Sequence, residues 1–310
     1  MPLDEYRWMG MEEVLTFPEI VRLATLFARL GVTKIRLTGG EPLIRKNLHS
    51  LIGRLSSIDG LEDLCLTTNG SLLAEQAEAL ARAGLKRVNV SIDTLDPEKF
   101  RRMTKRGDLG QVLAGLFAAK AQGLRPIKMN AVVERGVNDD DIIPLAEFAR
   151  EHGFHLRFIE YMDVGNANQW ASAKVVTKGE IVRKLRARLP LEEFGSCGGG
   201  NAPSVDYRYA DGGGEVGVIA SMTEPFCSGC TRARLTADGR LVTCLFSSRG
   251  HDLKTLLRRG ATDEEIGDVI TKVWGERADR YSEQRLEAIS SGSGYRARGR
   301  RKLEMISLGG

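Results

Sequence analysis

Long hydrophobic runs are missing from this 310-residue chain. No apolar stretch approaches the roughly 20 residues needed to cross a bilayer, and no signal-peptide pattern precedes the first helical segment. An excess of one charge is missing too. Lys+Arg 45 against Asp+Glu 41 leaves +4, too mild on its own to argue for a nucleic-acid partner. Histidine is scarce: His49, His152, His155 and His251 are the only four, and none stands at an obvious metal-ligand spacing. Five cysteines, three of them clustered, suit a reducing compartment and a metal site better than a disulfide framework. What is present, 42% hydrophobic and 28% charged residues, is enough to bury a large core. The expectation is a cytoplasmic enzyme with no membrane partner.

Strand and helix signals alternate through the first half. Thr16 and Glu19 form a capping box, Leu15 can staple onto Ile20, and Ile20, Leu23, Ala24, Phe27 and Leu30 follow at helical spacing before Gly31. Strands are predicted over 34–38, 63–68, 86–93, 127–133 and 156–161. Helices are predicted over 48–56, 72–83, 109–122 and 141–152, with Gly84, Gly123 and Gly153 where C-cap glycines belong. Such alternation means a parallel sheet, open or closed into a barrel. Beyond Met162 it breaks down. One more helix is predicted over 178–189, with short strands over 205–209 and 215–220, and the run 290–299 is expected to be mobile. The expected division is therefore a partial barrel over 1–164 and a C-terminal region over 165–310.

The strands also carry polar residues at every second position. Arg36 and Thr38 alternate with Ile35 and Leu37; Asn89, Ser91 and Asp93 with Val88, Val90 and Ile92; Lys128 and Asn130 with Ile127 and Met129. In a helix-covered sheet the apolar side faces the helices, so these polar residues face the other way. A wet barrel interior would explain them, but polar residues near the C-terminal ends of several parallel strands more often build a site.

The strongest local motif places Cys227, Cys230 and Cys244 in a C-x2-C-x13-C pattern. It allows two readings. One is a structural zinc ribbon with an unidentified fourth ligand, for which Cys197 in its glycine-rich loop is a candidate. The other is a four-iron cluster held by three thiolates, leaving one iron open to substrate. Arg232 and Arg234 would present two cations beside it, or be ordinary exposed strand residues. LTGGEPLIR (37–45) puts Gly39 and Gly40 at a strand end, where a backbone can approach a ligand closely. Cys65 lies in an apolar strand and reads as core.

RLTGGEPLIR, LTTNG, VNVSIDTLD, IKMNAVV, GVNDDDI, RFIEYMDVGN, CSGCTRARL and the terminal GG together resemble the GTP 3′,8-cyclases of molybdenum-cofactor biosynthesis, which are radical S-adenosylmethionine (SAM) enzymes. The resemblance covers essentially the whole chain. It implies an α/β fold, an incomplete (βα)6 TIM-like barrel with a C-terminal iron–sulfur region. It implies a radical that takes hydrogen from C3′ of the GTP ribose, followed by attack on C8 of guanine. The implied SAM contacts are Gly40, Ser91 and Met162, and the implied GTP contacts Arg36, Thr67, Lys128, Arg232 and Arg234. Cys227, Cys230 and Cys244 would hold a [4Fe-4S] cluster, and Gly309 and Gly310 would form a tail reaching the active site. Implied partners are GTP, an electron donor, a downstream cyclic pyranopterin monophosphate synthase and a second copy of the chain as a homodimer; nucleic acid is not among them.

One departure stands out. The family's SAM cluster is held by C-x3-C-x2-C, and no such motif occurs in these 310 residues. In that pattern Met-Pro follows the last cysteine, and this chain opens Met1–Pro2. The expectation is an N-terminally truncated cyclase, lacking the first barrel strand and the ligands of the second [4Fe-4S] cluster, and inactive as written. Other classes remain open: an inactive GTP-binding or regulatory remnant that keeps the C-terminal cluster, and a zinc-ribbon nucleic-acid module.

Overall fold

Thr16 caps the first helix as its spacing from Glu19 predicts. The Thr16 hydroxyl accepts the Glu19 N–H at 3.4 Å, and the Glu19 carboxylate accepts the Thr16 N–H at 2.7 Å. The computed structural model describes residues 9–10, 12–105, 107–164, 170–195, 202–291, 295 and 302–303. Helix α1 (Phe17–Arg29) leads into β1 (Lys34–Leu37), α2 (Leu48–Ser56), β2 (Asp63–Thr68), α3 (Leu73–Arg82) and β3 (Arg87–Ser91). Then come α4 (Pro97–Thr104), α5 (Leu109–Ala121), β4 (Ile127–Val133), α6 (Ile142–His152) and β5 (His155–Glu160). These five strands pair in order and in parallel, each linked to the next by at least one helix.

The sheet does not stop at β5. After α7 (Lys178–Arg186), the chain forms β6 (Leu191–Gly195), β7 (Val205–Tyr209) and β8 (Glu215–Ile219). β8 runs parallel to β5, with Leu156 opposite Val216 and Phe158 opposite Val218. β7 and β6 then pair antiparallel beyond it, giving the order β1-β2-β3-β4-β5-β8-β7-β6. The architecture is α/β, a mostly parallel sheet forming a partial TIM-like barrel with β1 at one edge. The expected division between 164 and 165 thus falls inside one continuous sheet, because the sixth parallel strand arrives from beyond it.

The helix-facing side is apolar, as period-two patterning requires. Leu64, Leu66, Val88, Val90, Met129, Ala131, Leu156, Phe158, Val216 and Val218 are buried in one core with residues of α2, α3, α5, α6 and α7. A second core joins the far face of α1 to the C-terminal elements β9 (Arg234–Leu235), β10 (Arg240–Val242), β11 (His251–Asp252), α8 (Lys254–Arg258) and α9 (Asp263–Gly275). Leu15, Leu23 and Leu26 meet Leu241, Leu253, Leu257, Ile266 and Ile270 there. Arg22 closes the seam, donating to Asp263 at 2.8 Å and to the Ala261 carbonyl at 2.7 Å. Helix α10 (Tyr281–Ser290) follows.

Several boundaries differ from the sequence reading. β3 ends at Ser91 rather than 93, because the Asp93 carboxylate takes the Val132 N–H at 2.8 Å, an amide that a longer ladder would use. α4 is not predicted above, although Asp96 caps it through the Lys99 N–H at 2.8 Å and Pro97 opens it; only Phe100 of this helix is buried, so its apolar period is faint. Most of the run 290–299 and all of Cys197, Gly309 and Gly310 lie outside the described residues. Among the described residues no helix is long and apolar enough to cross a membrane.

Candidate active site

The polar face of the sheet is laid out by register. Arg36 lies opposite Cys65, and Cys65 opposite Arg87. Thr67 lies opposite Asn89, Asn89 opposite Lys128, Asn130 opposite Arg157, and Arg157 opposite Gly217. Residues opposite one another in a ladder project to the same side, so these groups share one face. Arg36 Nε reaches Cys65 Sγ at 3.4 Å, Asn89 Nδ2 reaches Thr67 Oγ1 at 3.2 Å, and Arg157 Nε reaches Asn130 Oδ1 at 3.0 Å. Cys65 is buried as expected, but it belongs to this polar face and not to the helix side.

Asn89 is fully buried, yet among the described residues its Oδ1 has no partner. A buried amide oxygen without a donor is costly, so this face offers an acceptor to whatever enters. Gly217 makes room on the same face: a Cβ there would lie 2.3 Å from both Asp206 Oδ1 and Ser204 Oγ, and 3.2 Å from Arg157 Cγ. Burial pushes the Arg157 guanidinium down to about 10, and the positive charges of Arg36 and Arg87 act the same way.

The loop after β1 is tied on two sides. Glu41 accepts the Thr68 hydroxyl and the Asn69 N–H, both at 2.7 Å, locking the loop to the end of β2. Arg45 lies over the Phe17 ring, 4.7 Å from its centroid, and donates to the Leu15 carbonyl at 2.5 Å. Gly39 takes φ 151°, a conformation open to glycine and few others, and so lets Gly40 follow at the strand mouth. Gly40, Ser91 and Met162 sit at or just past the C-terminal ends of β1, β3 and β5. Ligands of open parallel sheets gather at that edge.

The cysteine loop faces this edge. Burial pushes the Arg234 guanidinium down to about 10, and the positive charges of Arg232 and of Arg36 act with it. Arg36 belongs to the barrel and Arg234 to the C-terminal region, so the two are electrostatic neighbours across these parts of the chain. Arg232 donates to Cys230 Sγ from Nε at 3.3 Å and Nη2 at 3.1 Å, and lies 4.8 Å from the Phe226 ring centroid. Burial would raise the Cys230 thiol, but Arg277 and Arg232 outweigh it and hold it near 7. Burial raises Cys244, whose sulfur accepts the Phe246 N–H at 3.5 Å and feels Cys227 as an electrostatic neighbour.

Among the described residues, no three His, Cys, Asp or Glu side chains converge tightly enough to hold a single metal ion. A four-iron cube spreads its thiolates wider than one ion does. Cys227 and Cys244 are electrostatic neighbours, and Arg277 and Arg232 favour the Cys230 thiolate, the form in which a cysteine ligates any metal group.

Three functional groups escape the sequence reading. Arg157 follows the period-two rule between Leu156 and Phe158, but the next positions break the alternation. Glu41 shows no signal beyond its place in the glycine loop. Asp163, 1% exposed, collects partners far away in sequence.

Residues 4–149 match the family model described as Radical SAM superfamily, and residues 154–283 that described as Molybdenum Cofactor Synthesis C. Over 323 residues the chain is 47% identical to a GTP 3′,8-cyclase of Acidothermus cellulolyticus, covering 98% of this chain and 89% of that one. It is 46% identical to the GTP 3′,8-cyclase of Xanthomonas axonopodis pv. citri (99% and 89% covered). It is 44% identical to that of Aquifex aeolicus (100% and 91% covered). Membership of the radical SAM superfamily implies the use of SAM and a [4Fe-4S] cluster. With relatives this similar along nearly its whole length, the chain belongs to the GTP 3′,8-cyclase family.

Proposed function

We propose that this protein converts GTP to 3′,8-cyclo-7,8-dihydro-GTP, the cyclisation that begins molybdopterin synthesis. The observation that carries the reading is a group of neighbouring guanidiniums: Arg36 is an electrostatic neighbour of both Arg157 in the sheet and Arg234 after the cysteine pair, and Arg232 is a neighbour of Arg234. Such a cluster matches a triphosphate, because guanidiniums donate paired hydrogen bonds to phosphate oxygens. In this reading Arg36, Thr67, Lys128, Arg232 and Arg234 hold GTP, and the unpartnered Asn89 Oδ1 accepts a donor from the nucleotide or a water. Gly40, Ser91 and Met162 line the SAM side, and Gly309 and Gly310 belong to the tail. Cys227, Cys230 and Cys244 would hold a C-terminal [4Fe-4S] cluster, which with three protein ligands would offer a coordination position to GTP.

The radical that takes hydrogen from C3′ of the ribose would come from SAM and a second [4Fe-4S] cluster; C-x3-C-x2-C ligands for that cluster do not occur in these 310 residues, so no step of radical generation is assigned to this chain. The chain's part is to fix the ribose and guanine so that C3′ and C8 lie within bonding reach, and to keep water out. An electron donor, a downstream cyclic pyranopterin monophosphate synthase and a second copy of the chain are the proposed partners. The protein reconstituted anaerobically with iron and sulfide should be brown and bind GTP, and GTP should perturb the electron paramagnetic resonance spectrum of the reduced cluster. Arg234→Ala should weaken that binding and abolish the spectral change. Colourless, zinc-loaded protein indifferent to GTP would refute the reading.

A further inference from the structure

One buried carboxylate lies beside the site without belonging to its chemistry. Asp163 follows Met162 directly, just beyond the end of β5. Its Oδ1 accepts from Arg285 Nη1 at 2.5 Å. Its Oδ2 accepts from Lys302 Nζ at 2.7 Å, from the Tyr281 hydroxyl at 2.6 Å and from the Tyr295 hydroxyl. The Arg285 and Lys302 side chains are 0% and 2% exposed, rare for such groups unless they are paired. Arg285 Nη2 also donates to the Ser221 carbonyl at 2.5 Å, and Lys302 Nζ to the Asp163 carbonyl at 2.5 Å.

Among the described residues two cations meet one anion here, and aromatic faces lie beside both cations. Phe246 stacks on Tyr281 with centroids 4.3 Å apart and planes 14° from parallel. Arg285 lies 5.1 Å and Lys302 5.4 Å from the Phe246 centroid. Phe246 is also the residue whose N–H meets Cys244 Sγ. Next to it, the Ser247 carbonyl accepts the Leu303 N–H at 3.0 Å. The network therefore ties together the end of β5, the loop carrying Cys244, α10 and the chain at 302–303.

We infer that Asp163 is a positioning residue: through Lys302 it clamps the chain at 302–303 onto the Cys244 loop, and so holds in place the loop that the proposed function sets against GTP. The inference deepens the proposed function and rests on it for its bearing on GTP; the clamp itself does not depend on it. A buried carboxylate with four donors suits this duty, since its charge holds both cations in one geometry and neither can reach water without breaking the rest.

The test uses the full chain, reconstituted anaerobically. Endoproteinase Lys-C cuts after lysine, and mass spectrometry follows loss of residues 303–310. Lys302 is buried in the wild type; Asp163→Asn should release this fragment at least about tenfold faster, with iron content unchanged. Lys302→Met should weaken GTP binding about tenfold, and Lys302→Arg, which restores a cation to the same oxygen, should return it to within about twofold of wild type. A part that merely supported the fold would not give this split between the two Lys302 variants at equal iron content. Equal Lys-C rates in wild type and Asp163→Asn overturn the proposal, as does a Lys302→Met protein that binds GTP like wild type. If the wild type itself binds no GTP, the functional reading fails, and the clamp is judged on the Lys-C rates.

Discussion

Glu160 offers a sharp test of how the barrel holds its C-terminal region. It is 0% exposed, and among the described residues no cation pairs with it. Instead Oε1 accepts the Lys178 N–H at 2.8 Å and the Thr223 hydroxyl at 2.5 Å, while Oε2 accepts the Met222 and Thr223 N–H groups at 2.8 and 2.9 Å. One carboxylate thus fastens the end of β5 to the start of α7 and to the strap leading toward Cys227.

Glutamine has the same shape but only one acceptor oxygen. Its best placement keeps that oxygen on Met222 and Thr223 and turns the NH2 toward Lys178, donor against donor. The Thr223 hydroxyl can rotate to accept; the Lys178 N–H cannot, and is orphaned at a cost of about 1–3 kcal/mol. The two surviving bonds lose their ionic acceptor, worth together about 1 kcal/mol. Glu160→Gln should therefore destabilise by roughly 2–4 kcal/mol, a large share of a typical 5–15 kcal/mol stability. Thr223→Val, which removes one hydroxyl and leaves three N–H donors in place, should cost only about 1 kcal/mol. Urea unfolding followed by tryptophan fluorescence reads both values. A Glu160→Gln protein within about 0.5 kcal/mol of wild type would refute the reasoning, since that is the range of an ordinary surface change.

Gly217→Ala should destabilise by about 1–3 kcal/mol and weaken GTP binding, because the new methyl collides with Asp206 and Ser204 and pushes on Arg157; thermal melting and equilibrium dialysis check the two effects. Asp163 should make stability depend on acid. Burial alone would raise its carboxyl, but the Arg285 charge and the hydrogen bonds from Lys302, Tyr281 and Tyr295 hold it down to about 2, below the unfolded 3.8. Its contribution is then fully present above pH about 4 and is lost as pH falls toward 2, on the order of 2 kcal/mol. Unfolding free energies of wild type and Asp163→Asn should therefore converge across that window and stay apart above it.

What could be read from the residues follows from how local each cause is. The α1 capping box and the apolar period of the first five strands depend on neighbours a few positions away, and the register of those strands then placed Arg36, Ser91 and Lys128 on one face. α4 shows mainly its cap, because a helix that buries one side chain has almost no period to find. β8 reads as a short strand of a separate region, since nothing in EVGVI says that its ladder partner is β5. The partners of Asp163 lie 118, 122, 132 and 139 residues away, and a lone aspartate after Met162 gives no hint of them. Its function is visible only once the chain has folded.

Glu160 and Asp163 stand three residues apart on the same rim, flanking Tyr161 and Met162. Both are buried carboxylates turned toward the C-terminal region, but with different partners: Glu160 takes neutral donors from α7 and the 222–223 strap, and Asp163 takes two cations from α10 and residue 302. The two sets meet at the strap, where Arg285 holds the Ser221 carbonyl and Glu160 the next two N–H groups. If this short strap is one mechanical joint, loosening it from either side should free the same segment. Glu160→Gln and Asp163→Asn should then be less than additive, with the double variant falling short of the summed losses by about 0.5–3 kcal/mol, as for residues in one network. Strict additivity would mean two independent fastenings. In that case the position of Met162 would be set by β5 alone, and not by the contacts that join the barrel to the cysteine loop.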